Sequence, residues 1–210
     1  MPVVQRLDLE VQAGEVVALL GPNGAGKTTA LMTLSGELPL ISGEVIFNGE
    51  STRAPLHKRV RGGMAVVTEE RSVFMGMSTV NNLRVGRVDT RRALERFPEL
   101  NERLKVPAGL LSGGEQQMLT LARALAREPT LLLADELSLG LAPKVVERLL
   151  RSVRDAADQG LGVLLVEQHI PRALDVADRA YVMRRGQVVM QGSGAELRDR
   201  VEEIEAAYLT

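Results

Sequence analysis

The chain has no cysteine in its 210 residues. Disulfide frameworks, thiolate nucleophiles and cysteine-based zinc sites are therefore excluded, and the composition fits a cytosolic protein. Long hydrophobic runs are missing too. The apolar stretches 16–20 and 163–166 fall far short of the ~18–20 residues that span a bilayer, so any membrane role is expected to come through a partner. Met1-Pro2-Val3-Val4-Gln5 lacks a basic flank followed by an apolar run, and no signal peptide is expected. Neither charge dominates: a formal net charge of -1 gives no general affinity for nucleic acid. Internal repeats and low-complexity tracts are also absent.

What remains is an ordinary globular composition, 45% hydrophobic and 25% charged, at a length that makes one domain the default. A broken alternation, Val3, Leu7, Leu9 and Val11, predicts a strand over 3–11. The run 16–20, closed by glycine, predicts a buried strand, followed by a loop over 21–27 and a helix from Thr28. Further strands are expected at 44–48, 64–67, 130–134 and 162–166, and helices at 112–126, 143–157 and 171–177. A closing hairpin is expected at 179–183 and 187–191. Between about 78 and 106 apolar residues recur at helical spacing among arginines, with Pro98 and Pro107 as breaks. The alternation is that of an α/β fold with a mixed, mainly parallel sheet and an inserted helical subdomain.

Three elements carry chemistry. Gly21-Pro22-Asn23-Gly24-Ala25-Gly26-Lys27-Thr28 fits G-x-x-x-x-G-K-[ST] at every fixed position. Polyphosphate needs a concave row of backbone N–H donors, and glycine lets the loop wrap closely. The helix opening at Thr28-Thr29 adds its positive end. Lys27 is placed to reach the β- and γ-phosphates of ATP, and the Thr28 hydroxyl to ligate Mg²⁺. Leu131-Leu132-Leu133-Ala134-Asp135-Glu136 supplies the acids: Asp135 at a strand end beside the metal, and Glu136 as the general base for water. Ser112-Gly113-Gly114-Glu115 opens another helix and reads both as a capping box and as a second anion site. One chain cannot easily aim two helix N-termini at opposite sides of one phosphate chain, so a head-to-tail pair with ATP between the subunits satisfies both.

In this order the three elements resemble an ABC ATPase, with Leu111–Met118 as its signature motif, and the likeness covers nearly the whole chain. Gly114-Glu115-Gln116-Gln117-Met118, Ser138-Leu139-Gly140-Leu141-Ala142-Pro143, Val166-Glu167-Gln168 and Ala207-Tyr208-Leu209 resemble the ATP-binding subunits of branched-chain amino acid importers, with urea importers close behind. The resemblance implies a P-loop NTPase cassette over 1–210, its helical subdomain at roughly 78–125 including the signature helix. It implies ATP hydrolysis with Mg²⁺, a second cassette subunit, alike or related, and transmembrane permease subunits. It also implies an indirect link to a periplasmic or extracellular substrate-binding protein, and a place on the cytoplasmic face of the membrane. A soluble ABC ATPase acting on DNA or the ribosome is the rival class; it usually carries two cassettes or a long coiled-coil insertion, and this chain has neither.

The resemblance also marks departures. The family's Q-loop glutamine falls at Glu69, which can still offer an oxygen to Mg²⁺ or its water. Its switch histidine falls at Gln168, which can donate to the γ-phosphate but cannot shuttle a proton near neutral pH; His169 follows directly. The branched-chain subfamily tends to carry both replacements. Leu137 stands where proline usually follows the catalytic glutamate. The upstream strand with an adenine-stacking aromatic has no counterpart before Val3; either the start is misassigned, or adenine is held weakly or by another group. Arg59, Arg61, Arg184 and Arg185 read as solvated faces of a helix and a hairpin. Phe74, Met75 and Met77 suit either a groove for a partner helix or plain core packing.

Overall fold

Strand β1 (Val16–Leu20) is an unbroken apolar run, buried along its whole length. A strand covered on both faces needs no polar alternation, and that is how the interior of a parallel sheet reads. The computed structural model describes residues 2–209, and every statement of contact or absence refers to those residues. Helix α1 (Lys27–Ser35) follows the glycine-rich loop. A small arm, β2 (Ile46–Phe47) paired with β3 (Glu50–Ser51), and helix α2 (Leu56–Arg61) lead into β4 (Met64–Val67). Next come α3 (Thr79–Val85), α4 (Thr90–Arg96), the short 3-10 turns Pro98–Arg103 and Ala108–Leu110, and the long α5 (Gly113–Leu125). The chain then alternates through β5 (Leu131–Asp135), α6 (Pro143–Ala157), β6 (Gly162–Glu167) and α7 (Ile170–Leu174). It closes with β7 (Arg179–Arg184), β8 (Gln187–Ser193), α8 (Gly194–Arg198) and α9 (Val201–Leu209).

The sheet order is β4-β5-β6-β1-β7-β8. Every neighbouring pair is parallel except β7 with β8. Alternate side chains divide the core. Val17 and Leu19 pack with Ala30 and Leu31 of α1; Ala18 and Leu20 pack with Ile170, Leu174 and Ile204 of the later helices. Leu132 and Ala134 of β5 join Leu119 and Leu121 of α5 and Leu149 and Val153 of α6. Burial of each such leucine favours folding by about 1.5–3 kcal/mol. Arg154 on α6 fastens the start of β1: its guanidinium donates to Gly14 O at 3.0 Å and to Asp178 Oδ2 at 2.7 Å, and that carboxylate accepts the Val16 N–H at 2.8 Å.

Several expectations change, among them the helix expected at 171–177, which ends at Leu174. Residues 3–11 form no strand. Arg6 is left-handed at φ 52, which breaks the extended run, and the segment's N–H contact with the hairpin is Gln5 to Gly186 O at 2.7 Å. Its apolar side chains Val4, Leu7, Leu9 and Val11 still lie on the core, so the alternation reported burial without pairing. The strand expected at 44–48 shrinks to Ile46–Phe47. Arg59 is no solvated residue: it is only 4% exposed. Its guanidinium donates to Ala54 O at 2.7 Å and to Leu34 O at the carbonyl end of α1, where a cation is favoured. Burial lowers its pKa. Arg61 and Arg185 are exposed as expected, while Arg184 is half-buried and donates to Ala207 O at 3.4 Å. No described helix is long and apolar enough to cross a membrane.

Candidate nucleotide site

The carboxyl ends of β1, β6 and β5, three neighbours in the sheet, bring the chemical residues together, as open α/β sheets do. The loop after β1 begins at Gly21, where a Cβ would stand 2.5 Å from the Met183 carbonyl oxygen; only glycine fits. Gly26, at φ 101, turns the chain into α1. It offers no side-chain cap, and the first turn of α1 carries no acid, so the helix's leading N–H groups meet no internal anion. Lys27 is 4% exposed and bends back over the loop, donating to Gly21 O at 2.8 Å and to Pro22 O at 3.3 Å. Its Nζ lies 3.6 Å from Glu136 Oε1.

Asp135 ends β5 at 2% exposure. Burial pushes its carboxyl above the usual carboxylate range; the Thr28 hydroxyl and Lys27 oppose the shift, and Glu136 and Glu69 add to it. Asp135 Oδ1 is buried with no hydrogen-bond partner, an oxygen left free for a cation. Glu136 is left-handed, at φ 47, an unusual state for a non-glycine residue and one found at functional sites. A cavity of about 350 Å³ is lined by residues 23–29, Glu69, Glu136 and Leu139, with Val3 at its edge. No cluster of three or more acidic, histidine or cysteine ligands exists among the described residues. The donor set fits Mg²⁺ all the same, because that ion binds through one or two protein oxygens and completes its shell with water and phosphate.

Ser112, Gly113, Gly114 and Glu115 stand elsewhere, none of them on this cavity. Ser112 caps α5: its Oγ accepts the Glu115 N–H at 3.3 Å, and Glu115 Oε2 accepts the Ser112 N–H at 2.8 Å. Arg103 donates to Glu115 Oε1 at 2.7 Å. Burial works to raise the Glu115 pKa, but these bonds outweigh it and the net shift is downward. A larger groove of about 680 Å³ lies between α4 and α6. Its Arg92 is paired with Glu128, its Arg148 with Glu99 and its Arg151 with Glu147. Arg96 in the same groove donates to Gln159 Oε1 at 2.8 Å, and no glycine-rich loop lines it.

Residues 4–138 match the model of the ABC transporter family. The chain belongs to that family. It is an ATP-hydrolysing ABC cassette. It is 42% identical to the high-affinity branched-chain amino acid transport ATP-binding protein BraG of Pseudomonas aeruginosa, over 97% of this chain and 91% of that one. It is 37% identical to the probable branched-chain amino acid transport ATP-binding protein LivF of Archaeoglobus fulgidus, over 91% and 86%. Among solved structures, the ADP conformation of an ATP-binding cassette of an ABC transporter superposes with a TM-score of 0.86 at 24% identity, covering 97% of this chain and 92% of that one.

Within the cassette, the departures from family pattern have physical settings. Glu69 is exposed on the cavity rim. Gln168 and His169 are exposed at the end of β6 and do not line the cavity. Leu137 is 1% exposed and belongs to the largest hydrophobic cluster; its role is packing, which sequence position alone did not reveal. Phe74, Met75 and Met77 are 48%, 51% and 40% exposed, so core packing does not account for them. Two residues escaped sequence reasoning. Asn82, fully buried, ties down the 74–77 loop by accepting the Phe74 N–H and donating to Phe74 O and Met77 O. Glu167, 2% exposed, was visible only as part of a subfamily tripeptide.

Proposed function

We propose that this cassette powers import of branched-chain amino acids, with each residue of the cavity in a defined role. The observation that carries the catalytic part is the buried, unpartnered Asp135 Oδ1 beside Thr28 and Lys27. The loop over residues 21–29 holds the phosphates through the backbone N–H groups of its non-proline residues, and Lys27 leaves the loop carbonyls to meet them. Thr28 and Asp135 would hold Mg²⁺, with Glu69 on its outer side. The ion neutralises charge on the phosphate oxygens when bound. Glu136 takes the proton of the attacking water. Ser112, Gly113, Gly114 and Glu115 close the site of a second cassette, a role suggested by the capped end of α5 not lining this chain's own cavity. Gln168 senses the γ-phosphate from that closed state.

The substrate reading rests on the relatives: two proteins named for branched-chain amino acid transport are similar over 97% and 91% of this chain. Coupling to a permease rests on the exposed Phe74, Met75, Met77 and Leu110, a flexible apolar surface of the kind that receives a helix, held in place by Asn82. The cassette would thereby sit peripherally on the cytoplasmic face of the membrane, with a substrate-binding protein on the far side.

The test is twofold. Glu136→Gln should lower turnover by about 10²–10⁴ and leave a stable ATP-bound dimer; unchanged turnover removes Glu136 from its role. Reconstitution with the permease and substrate-binding subunits of a branched-chain amino acid importer should give leucine-stimulated hydrolysis. Stimulation by urea, or by nucleic acid, would replace the importer reading with one of its rivals.

A further inference from the structure

The loop that carries Glu136 is fastened to the end of β6 at two consecutive points. Glu136 donates its N–H to Val166 O at 2.9 Å. Two residues later Ser138 donates its N–H to Glu167 Oε1 at 3.2 Å and its hydroxyl to Glu167 Oε2 at 2.7 Å. Between them Leu137 is anchored in the core. Both oxygens of a carboxylate thus accept from one residue, on a side chain 2% exposed, and the residue that follows it, just past the end of β6, is Gln168. A polar group buried this deeply costs stability unless it is bonded, so its bonds are strongly enforced.

We propose that Glu167 and Ser138 form a clamp that holds Glu136 in its left-handed conformation, making Glu167 a positioning residue for ATP hydrolysis. The clamp touches neither phosphate nor water. It fixes the backbone from which Glu136 projects, and it makes the Gln168 segment and the base move as one body. A left-handed non-glycine residue persists only where its surroundings over-determine it; here they include these three hydrogen bonds, Leu137, and the Leu139 N–H donated to Glu136 O at 3.2 Å. Burial raises the Glu167 pKa and the Ser138 bonds counter it, as expected of a carboxylate committed to two donors.

The inference rests on Glu136 as general base, and one experiment separates the two ideas. Full-length wild type, Ser138→Ala, Ser138→Thr, Glu167→Gln, the Ser138→Ala/Glu167→Gln double variant and Glu136→Gln are compared for turnover at saturating Mg-ATP, for nucleotide affinity and for thermal midpoint. Displacement of a reacting group by about an ångström can cost on the order of 10²-fold in rate. Ser138→Ala and Glu167→Gln should therefore lose about 10- to 100-fold in turnover with nucleotide affinity unchanged. Ser138→Thr, which keeps both donors, should restore most of it, and the double variant should be no slower than the worse single one. Unchanged turnover in Ser138→Ala, multiplicative losses in the double variant, or losses that follow affinity or thermal midpoint overturn the clamp. Ser138→Ala removes only one partly buried hydroxyl, so a folding failure of Glu167→Gln does not remove the test. If Glu136→Gln hydrolyses ATP normally, the reading of Glu136 falls, and the clamp as a device for positioning a base falls with it.

Discussion

Lys27 is shared between two partners on opposite sides of the phosphate loop: its Nζ donates to Gly21 O at 2.8 Å and stands 3.6 Å from Glu136 Oε1. In the proposed mechanism the same ammonium meets the γ-phosphate and the same carboxylate activates water. On that reading nucleotide binding draws Lys27 away from Glu136, and the carboxylate becomes free to accept a proton only once phosphate is in place.

Removing that pair should therefore favour binding while abolishing turnover. In Glu136→Gln, Lys27 no longer has an anionic competitor, and ATP affinity should rise about 2- to 10-fold. Calorimetric titration on wild type and variant checks this. Equal affinities would mean that the pair is too weak to compete.

Leu137→Ala tests the core beneath the base. A fully buried leucine cut to alanine costs about 2–5 kcal/mol, with larger losses where the cavity does not collapse. Chemical denaturation should place the variant in that range, and hydrolysis by the remaining folded protein should also slow, because Leu137 lies between the two fastened points of the Glu136 loop.

The Arg154–Asp178–Val16 connection makes stability depend on acid. Burial works to raise the Asp178 pKa, but the Val16 N–H and Arg154 outweigh it and depress the folded pKa below the ordinary value of 3.8. A depressed carboxylate contributes stability that is fully present above the unfolded pKa and is lost as pH falls through the folded pKa. Asp178→Asn should thus melt below wild type at pH 7, and the difference should shrink as pH falls below the ordinary carboxylate range and vanish once Asp178 is protonated in the folded protein. A gap that persists unchanged at low pH would show that the bond's geometry matters and its charge does not.

Arg59 should be intolerant even of lysine. Its guanidinium reaches two separate carbonyl oxygens at once, Ala54 O and Leu34 O, a fork that a single ammonium does not reproduce. Arg59→Met leaves those buried carbonyls unsatisfied at about 1–3 kcal/mol, and Arg59→Lys should recover only part of that. Thermal melts of the two variants decide it.

Much of this architecture can be read from apolar runs. VVALL is apolar throughout and LLLAD is apolar up to its closing Asp135; both are too short for a helix and bounded by turn residues, the pattern of a strand buried on both faces. The phosphate loop and the acids of β5 could be read because their chemistry tolerates few alternatives. Residues 3–11 misled because alternation reports a buried face and carries no information about a pairing edge. Arg59 misled because an arginine among polar neighbours looks solvated until the carbonyl ends that it caps are known. Glu167 escaped for a related reason: its partner Ser138 is 29 residues away in sequence, and nothing local to either residue announces the bond.

The position of β6 between β1 and β5 makes the sheet a ruler for the reaction. The loop that carries Lys27 leaves β1 and the one that carries Glu136 leaves β5, so their origins are separated by two inter-strand spacings, roughly 9–10 Å. That interval is set by backbone hydrogen bonds alone, and no exchange of side chains can lengthen it. Variation in the helices or in the exposed loop at Phe74, Met75 and Met77 can change what docks on the cassette, while the interval between the origins of the two site segments stays fixed.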